Sequence, residues 1–250
     1  NARFAPGNRH LKWAIEEGLL GRPQLVLMGN VGTWWTPNRI VANTPWRHDK
    51  MEAGGISLDL GVHHFNAVRF LAGEIDTVQG QVSIQEKRRV QITPSGETVA
   101  EILADADDTY LATFRSVEGV DGNLFASWSG AGGSTIVGPG VVMHGSQGRA
   151  VGPDYFDGDQ ARHELASLYN EGATQERKRH DFPLGLTDSF ALTQHDWLEA
   201  IRNAGTPQTS GREGLQDLAR TGHRPRGVLL RHPRGFVHRP DRTVWMREVD

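Results

Sequence analysis

The stretch Gly54-Gly55-Ile56-Ser57-Leu58-Asp59-Leu60-Gly61-Val62-His63-His64 decides how this sequence is read. Two glycines lead into an apolar-periodic run that ends at Gly73, which predicts a helix over 59–72. On such a helix Asp59 and His63, four residues apart, project from one face, and Asn66 and Phe70 continue it. Leu60, His64, Ala67, Val68 and Leu71 form the opposite, apolar stripe, expected to pack on a sheet. A carboxylate beside an imidazole suits general-base chemistry: the ring titrates near neutrality, and the carboxylate orients it or stabilises its cation. The glycines would let the backbone approach a ligand closely. A purely structural account stays open, with Asp59 favouring the positive helix N-terminus and His63 its ordinary i+4 neighbour.

Upstream, Pro6 with Leu11, Ala14 and Ile15 predicts a first helix, stopped by Gly18, Gly21 and Pro23. Gln24 to Val31 reads as a buried strand. The segment from Gly32 to Gly55, carrying Trp34, Trp35 and Trp46, has the length of a binding loop. Its indoles suit either stacking on a ring-shaped substrate or packing of the loop itself. Trp13, Trp128 and Trp197 are assigned to the core. Downstream, runs at 78–84, 99–103, 109–117, 124–129 and 136–143 read as strands with short, turn-rich links, hence antiparallel pairing, and Arg149-Ala150 starts another. Asp107 and Asp108 read as hairpin-turn residues and His144 as a solvated turn position. Residues 152–186 are polar and weakly patterned. A second helix over 188–204 places Phe190, Ala191, Trp197, Leu198 and Ile201 on one face before Gly205 and Pro207.

Composition excludes several functional classes. The 27 basic and 30 acidic residues leave −3, so neither nucleic acid nor a membrane is the expected partner. Without a cysteine there is no disulfide, thiolate zinc site, iron–sulfur cluster or cysteine nucleophile. His63 and His64 point about 100° apart and cannot easily share an ion, so no metal site is predicted among them, Asp59 and His48. No Gly-x-Gly-x-x-Gly or phosphate-loop Gly-Lys-Ser/Thr occurs. The last 31 residues, 220–250, differ from the rest, with eight arginines, three histidines, three prolines and three acids. They read either as a basic arm or as the product of a reading-frame shift near residue 219.

Five pieces together resemble a known family: Asn1-Ala2-Arg3-Phe4-Ala5-Pro6, Glu17-Gly18-Leu19-Leu20-Gly21, Thr44-Pro45-Trp46-Arg47, Gly54-Gly55…Asp59-x-Gly61-x-His63 and Leu71-Ala72-Gly73-Glu74. In order and spacing they are similar to the part of Gfo/Idh/MocA NAD(P)-dependent sugar and inositol dehydrogenases that follows the nucleotide-binding half. Asp108-Thr109-Tyr110, Gly122, Gly145-Ser146-x-Gly148 and the 190–207 segment continue the match to about residue 219.

The resemblance implies one α+β domain over 1–219, a largely antiparallel open sheet of five to seven strands with helices on one face. Residues 1–23 would link it to a preceding Rossmann half, and the chain's opening on Asn1 instead of Met fits that expectation. It implies a cytoplasmic oxidoreductase that moves hydride from a sugar, polyol or inositol-like alcohol to NAD or NADP, and that forms a homo-oligomer through the open sheet face. By resemblance His63 takes the hydroxyl proton and Asp59 binds substrate and tunes the ring. Trp46, Arg47 and Asn66 line the substrate, with Arg47 also near the cofactor. The family's glycine-rich loop and Glu-Lys-Pro lysine are absent from this sequence, so the chain alone is expected to be inactive and to expose the Leu11/Ile15 stripe. Two other readings stay open: a non-catalytic sugar-binding or regulatory member of the same fold, and a metal-dependent isomerase or lyase.

Overall fold

Strict alternation in Thr109–Ser116 builds the centre of the fold: Tyr110, Ala112, Phe114 and Ser116 turn inward, whereas Leu111, Thr113 and Arg115 face out. The computed structural model describes residues 1–32, 38–131, 135–221 and 245–248. In chain order its strands are β1 (Pro23–Val31), β2 (Ile75–Ser83), β3 (Arg88–Ile92), β4 (Thr98–Leu103), β5 (Thr109–Ser116) and β6 (Asp121–Ser127). They continue with β7 (Thr135–Gly145), β8 (Arg149–Val151), β9 (Asp154–Phe156), β10 (Arg162–Glu164) and β11 (Trp245–Glu248). The helices are α1 (Pro6–Glu16), α2 (Val62–Ala72), α3 (Leu165–Gly172), α4 (Gln175–Asp181), α5 (Ser189–Arg202) and α6 (Gly211–Arg220).

One sheet runs in the order β10-β9-β8-β7-β1-β6-β5-β2-β11, and β3 and β4 form a separate hairpin. The sheet is α+β and mostly antiparallel as expected, but it has nine strands instead of five to seven. The additional short strands β9 and β10 lie within 152–186, where three-residue strands are too brief to leave a pattern. β1 enters between β6 and β7, parallel to the first and antiparallel to the second. This one strand, with a short link to neither neighbour, escapes the rule that consecutive strands pair. On one face α1, α2, α3 and α6 pack together, burying Leu11, Trp13, Ala14, Phe65, Val68 and Leu71 above Val26, Tyr110, Phe114 and Leu124. No described helix is long and apolar enough to cross a membrane.

Four expectations need correction. The Leu11/Ile15 stripe of α1 is covered, because Trp13 meets Tyr169 of α3 edge-on at 5.4 Å and Leu11 is buried in the core. The exposed apolar row lies on α5 instead, where Phe190, Trp197, Leu198 and Ile201 face away from the sheet and only Leu192 is buried. Trp197 is therefore 44% exposed and not core. Asp107 and Asp108 are buried anchors, not solvated turn residues. Finally, the helix expected over 59–72 is an α-helix only from Val62, preceded by a π-helical turn over Ser57–Gly61. Trp34 and Trp35 lie outside the described residues, and so does the tail apart from Arg220, Thr221 and the backbone of β11, which runs parallel to β2.

Asp108 holds the β3–β4 hairpin to the sheet. Its carboxylate accepts from the backbone N–H of Gln85 and Glu86, the hydroxyls of Ser129 and Thr109, and Arg89 Nη2 at 2.7 Å. Burial alone would raise its pKa, but these donors outweigh burial and hold it below 3.8. Arg89 is equally buried and also donates to the carbonyls of Glu86 and Arg39. A group with a depressed folded-state pKa stabilises fully above its unfolded value and loses that contribution as pH falls. Asp108→Asn should thus cost about 3 kcal/mol in urea unfolding at neutral pH, with the deficit shrinking below pH 3.8.

Gly54 and Gly55 explain how the π-turn is seated. A Cβ on Gly54 would lie 2.5 Å from the Trp46 carbonyl oxygen and 2.7 Å from the Arg47 carbonyl. One on Gly55, whose φ is +115°, would overlap the Asp107 carboxylate. The close approach seen here serves packing of the chain on itself. Gly55 N–H donates to Arg47 O at 2.9 Å, Ile56 N–H to Asp107 O, and Ser57 N–H to Asp107 Oδ2 at 2.9 Å. Because the atoms a Cβ would meet are backbone and not the end of a flexible side chain, Gly54→Ala should destabilise the protein by roughly 1–3 kcal/mol in thermal or urea unfolding. A neutral result would show that the 45–48 turn can move away.

Candidate functional site

A short 3₁₀ turn, Pro45–His48, carries Trp46 and Arg47 to the start of the π-turn. His48 locks it: its Nε2 accepts from Val41 N–H at 3.0 Å, its ring meets Trp128, and its carbonyl accepts from Asp105 and Ala106. Burial, reinforced by the Arg89 charge, lowers the His48 pKa to about 4, so this ring is a neutral structural acceptor. With the turn seated on Gly54, Arg47 Nε reaches Asp59 Oδ2 at 3.0 Å and Arg47 Nη1 reaches Thr44 Oγ1 at 2.5 Å. The guanidinium also stacks over the Trp46 indole, 4.4 Å from the ring centroid. Trp46 itself is 43% exposed and leaves a flat apolar face open beside the Arg47–Asp59 pair.

His63 is exposed one residue into α2. Among the described residues no hydrogen bond joins it to Asp59, whose carboxylate is turned to Arg47. The π-turn is the reason: with a wider turn, a four-residue spacing no longer stacks two side chains as it does in an α-helix. Asp59 acts on His63 through its charge instead. Desolvation by the surrounding protein lowers the His63 pKa below 6.5, the Asn1 α-amino group adds to this, and the Asp59 and Asp217 carboxylates oppose it. The exposed ring is thus uncharged at pH 7, with the Asp59 and Asp217 charges acting on it through space.

The neighbouring His64 turns the other way. It is buried against Tyr110, shares a short hydrogen bond with its hydroxyl, and burial lowers its pKa to about 4. Asn66, one turn beyond His63, is also buried, and its Nδ2 donates to Asp217 Oδ2 at 2.7 Å. Of the expected site residues, Trp46, Arg47, Asp59 and His63 come together around the π-turn, whereas Asn66 spends its donor on α6. Among the described residues no group of three or more His, Asp or Glu is arranged to hold a metal ion. Sequence reasoning missed Thr44, Asp107 and Asp217. Thr44 stood in the quoted Thr-Pro-Trp-Arg motif and could have been picked out, but the other two act across long sequence separations that no local pattern announces.

Comparison with known proteins agrees with this architecture. A family model described as the GFO/IDH/MocA C-terminal domain matches residues 8–151, more than half of the chain. A D-apiose dehydrogenase from Paraburkholderia graminis is 25% identical over 231 residues, covering 88% of this chain and 53% of the relative. The chain thus spans about half the length of that curated relative. Among solved structures, levoglucosan dehydrogenase in its apo form has a TM-score of 0.65 at 22% identity, covering 88% of this chain and 61% of its own. Its complex with NADH has a TM-score of 0.63 at 21% identity, covering 88% and 60%. An oxidoreductase domain protein from Kribbella flavida has a TM-score of 0.63 at 20% identity, again covering 88% and 60%. At these identities the structural likeness establishes a shared fold. By the family model and by its sheet, this chain belongs to the GFO/IDH/MocA C-terminal domain family.

Proposed function

We propose that this chain is the substrate-binding part of an NAD(P)-dependent oxidoreductase acting on a sugar or polyol. One observation carries the reading: His63, a neutral base by its lowered pKa, faces solvent beside an Asp59 carboxylate that Arg47 holds in place. A hydroxyl seated against Trp46 and Asp59 would give its proton to the His63 ring as the hydride on the same carbon departs, leaving a carbonyl. Asp59 would accept a second hydroxyl proton in a hydrogen bond and stabilise the imidazolium that forms. The open indole of Trp46 suits the apolar face of a sugar ring.

NAD(P) would supply the hydride acceptor, and the residues present do not form a site for it. The sequence contains no Gly-x-Gly-x-x-Gly loop, and among the described residues Arg47, stacked on Trp46, is the one proposed to lie near such a group. The known relatives are longer than this chain, and their additional length would house the dinucleotide. The row Phe190, Trp197, Leu198 and Ile201 on α5 offers apolar surface for such a half to cover. The outward sheet face, with Gln79, Leu111, Thr113, Asn123 and Phe125 around a shallow groove, would join copies of the protein.

In the full-length protein His63→Ala should lower kcat by roughly 10²–10⁴ with cofactor affinity little changed. The base works when neutral, so activity falls as pH drops through its pKa, below 6.5. Asp59→Asn removes a charge that raises that pKa and should move the acid limb of the pH–rate profile lower still. Near-normal turnover in His63→Ala would remove His63 from the mechanism, whereas a full-length wild-type protein that binds sugar without turnover would favour the non-catalytic member of the fold. By itself the 250-residue chain should bind no NAD(P) in calorimetry at millimolar cofactor, and should sediment above 27.6 kDa. Tight cofactor binding by this chain would overturn the proposed division of labour, and a monomer would remove the sheet interface.

A further inference from the structure

The face of α2 that carries His63 is held by a residue outside every motif in the sequence. Three residues after His63, Asn66 is more than nine-tenths buried, and its side-chain oxygen has no hydrogen-bond partner among the described residues. Its amide is oriented solely by Asp217 Oδ2, at 2.7 Å. The other Asp217 oxygen accepts from Arg69 Nη1 at 2.6 Å, one further turn along α2. Arg69 is itself surrounded by Glu74, Glu213 and Gln216. Ser210 caps α6, its Oγ accepting from Glu213 N–H, and Thr221 meets Gly61 at the other end, so α6 runs beside α2 from the π-turn to Arg69.

This is more than a helix clamp needs. A buried Asn and a buried carboxylate each cost desolvation, and Arg69 already has Glu74 and Glu213 as ionic partners. Two apolar side chains at 66 and 217 would join the helices at lower cost. What the acidic residue adds is a negative charge bound to Asn66, on the same face of α2 as His63.

We propose that Asp217 is a positioning residue for His63: through Asn66 and Arg69 it fixes the α2 face that presents the ring and sets a buried carboxylate beside that face. The catalytic meaning of this assignment rests on the general-base reading above, but the coupling itself does not. Among the described residues, the charged groups that act on His63 are Asp59 with its partner Arg47, Asp217 with its partner Arg69, and the α-amino group of Asn1. His64 on the same helix is neutral. Of the two carboxylates, Asp59 is tied to a partly exposed arginine on a loop turn, whereas Asp217 is buried and clasped by α2 itself.

The test is the titration of the His63 imidazole in the full-length protein, followed by NMR with selectively labelled histidine. Asp217→Asn keeps the shape of the clasp and removes the charge, so the His63 midpoint should fall and kcat should drop by roughly tenfold at nearly unchanged KM, less than loss of the base itself. Glu213→Gln removes another partner of Arg69 and should leave the His63 midpoint where it is. A folded Asp217→Asn protein with an unchanged His63 midpoint reduces Asp217 to a clamp and overturns the proposal. Should that variant fail to fold, the reciprocal measurement decides, since coupling between two sites is mutual. His63 is exposed, so His63→Ala removes little packing, and the Asp217 carboxyl should then titrate higher than in wild type. An unchanged Asp217 titration overturns the proposal equally. Normal turnover in His63→Ala, with the coupling still measured, would remove the general-base reading and leave the positioning intact.

Discussion

The approach of two backbones at Gly54 and Gly55 is the constraint on which the site depends. Only a residue without a Cβ lets the chain pass this close to the carbonyls of Trp46 and Arg47 on one side and to Asp107 on the other. From that contact the geometry follows in order. Asp107 accepts from the N–H groups at the start of the π-turn, its backbone oxygen from Ile56 and its carboxylate from Ser57. The Pro45–His48 turn is fixed against it, and Arg47 lands on Asp59. A side chain at 54 would push the turn away and pull the guanidinium from the carboxylate, although neither residue had changed.

The π-turn that follows separates two roles an α-helix would have merged. In an α-helix Asp59 and His63 would sit one above the other, and the carboxylate would bond the imidazole directly. Here Asp59 is neutralised in part by a half-exposed Arg47, and His63 is left open to solvent. Such an ion pair contributes little to stability. Its value lies in orientation: it leaves a fixed, partly screened charge and a free base on the same edge of the domain, with an indole beside them. The neighbouring His64, by contrast, is consumed by Tyr110 inside the core. Two adjacent histidines thus have unrelated surroundings because the helix turns them about 100° apart.

The frame under the site is built from buried charge as well as apolar packing. Asp108 with Arg89 ties the β3–β4 hairpin to the sheet, Asp181 gathers Arg9, Arg177 and Tyr169 around α1 and α4, and Asp217 with Arg69 ties α6 to α2. Each carboxylate joins segments far apart in the chain. Ion pairs of this kind cost desolvation and add little net stability, but removing one partner leaves the other charge stranded. They therefore select one arrangement of the helices over its alternatives. The same fold carries unrelated activities in different proteins, so it is the constellation around Asp59 and His63, and not the sheet, that supports the dehydrogenase reading.

Period and punctuation in the sequence determined much of this protein. The alternation of 109–116, the apolar stripe of 62–72, and the stop at Gly73 are local signals, and the elements they announce are present. The motif Thr44-Pro45-Trp46-Arg47 and the spacing from Gly54 to His63 located the site for the same reason, since their members are neighbours in the chain. Tertiary structure alone decided the rest. Whether an apolar helix face is covered depends on what packs over it, so Leu11 is buried while Phe190 and Trp197 stand exposed, although both helices carry an apolar stripe. A polar Asp-Asp pair between strands reads as a turn until its partners arrive from Gln85, Arg89 and Ser57. Asp217 is the extreme case: its partners Asn66 and Arg69 lie about 150 residues away, and a contact at that separation leaves no periodic trace in a single sequence.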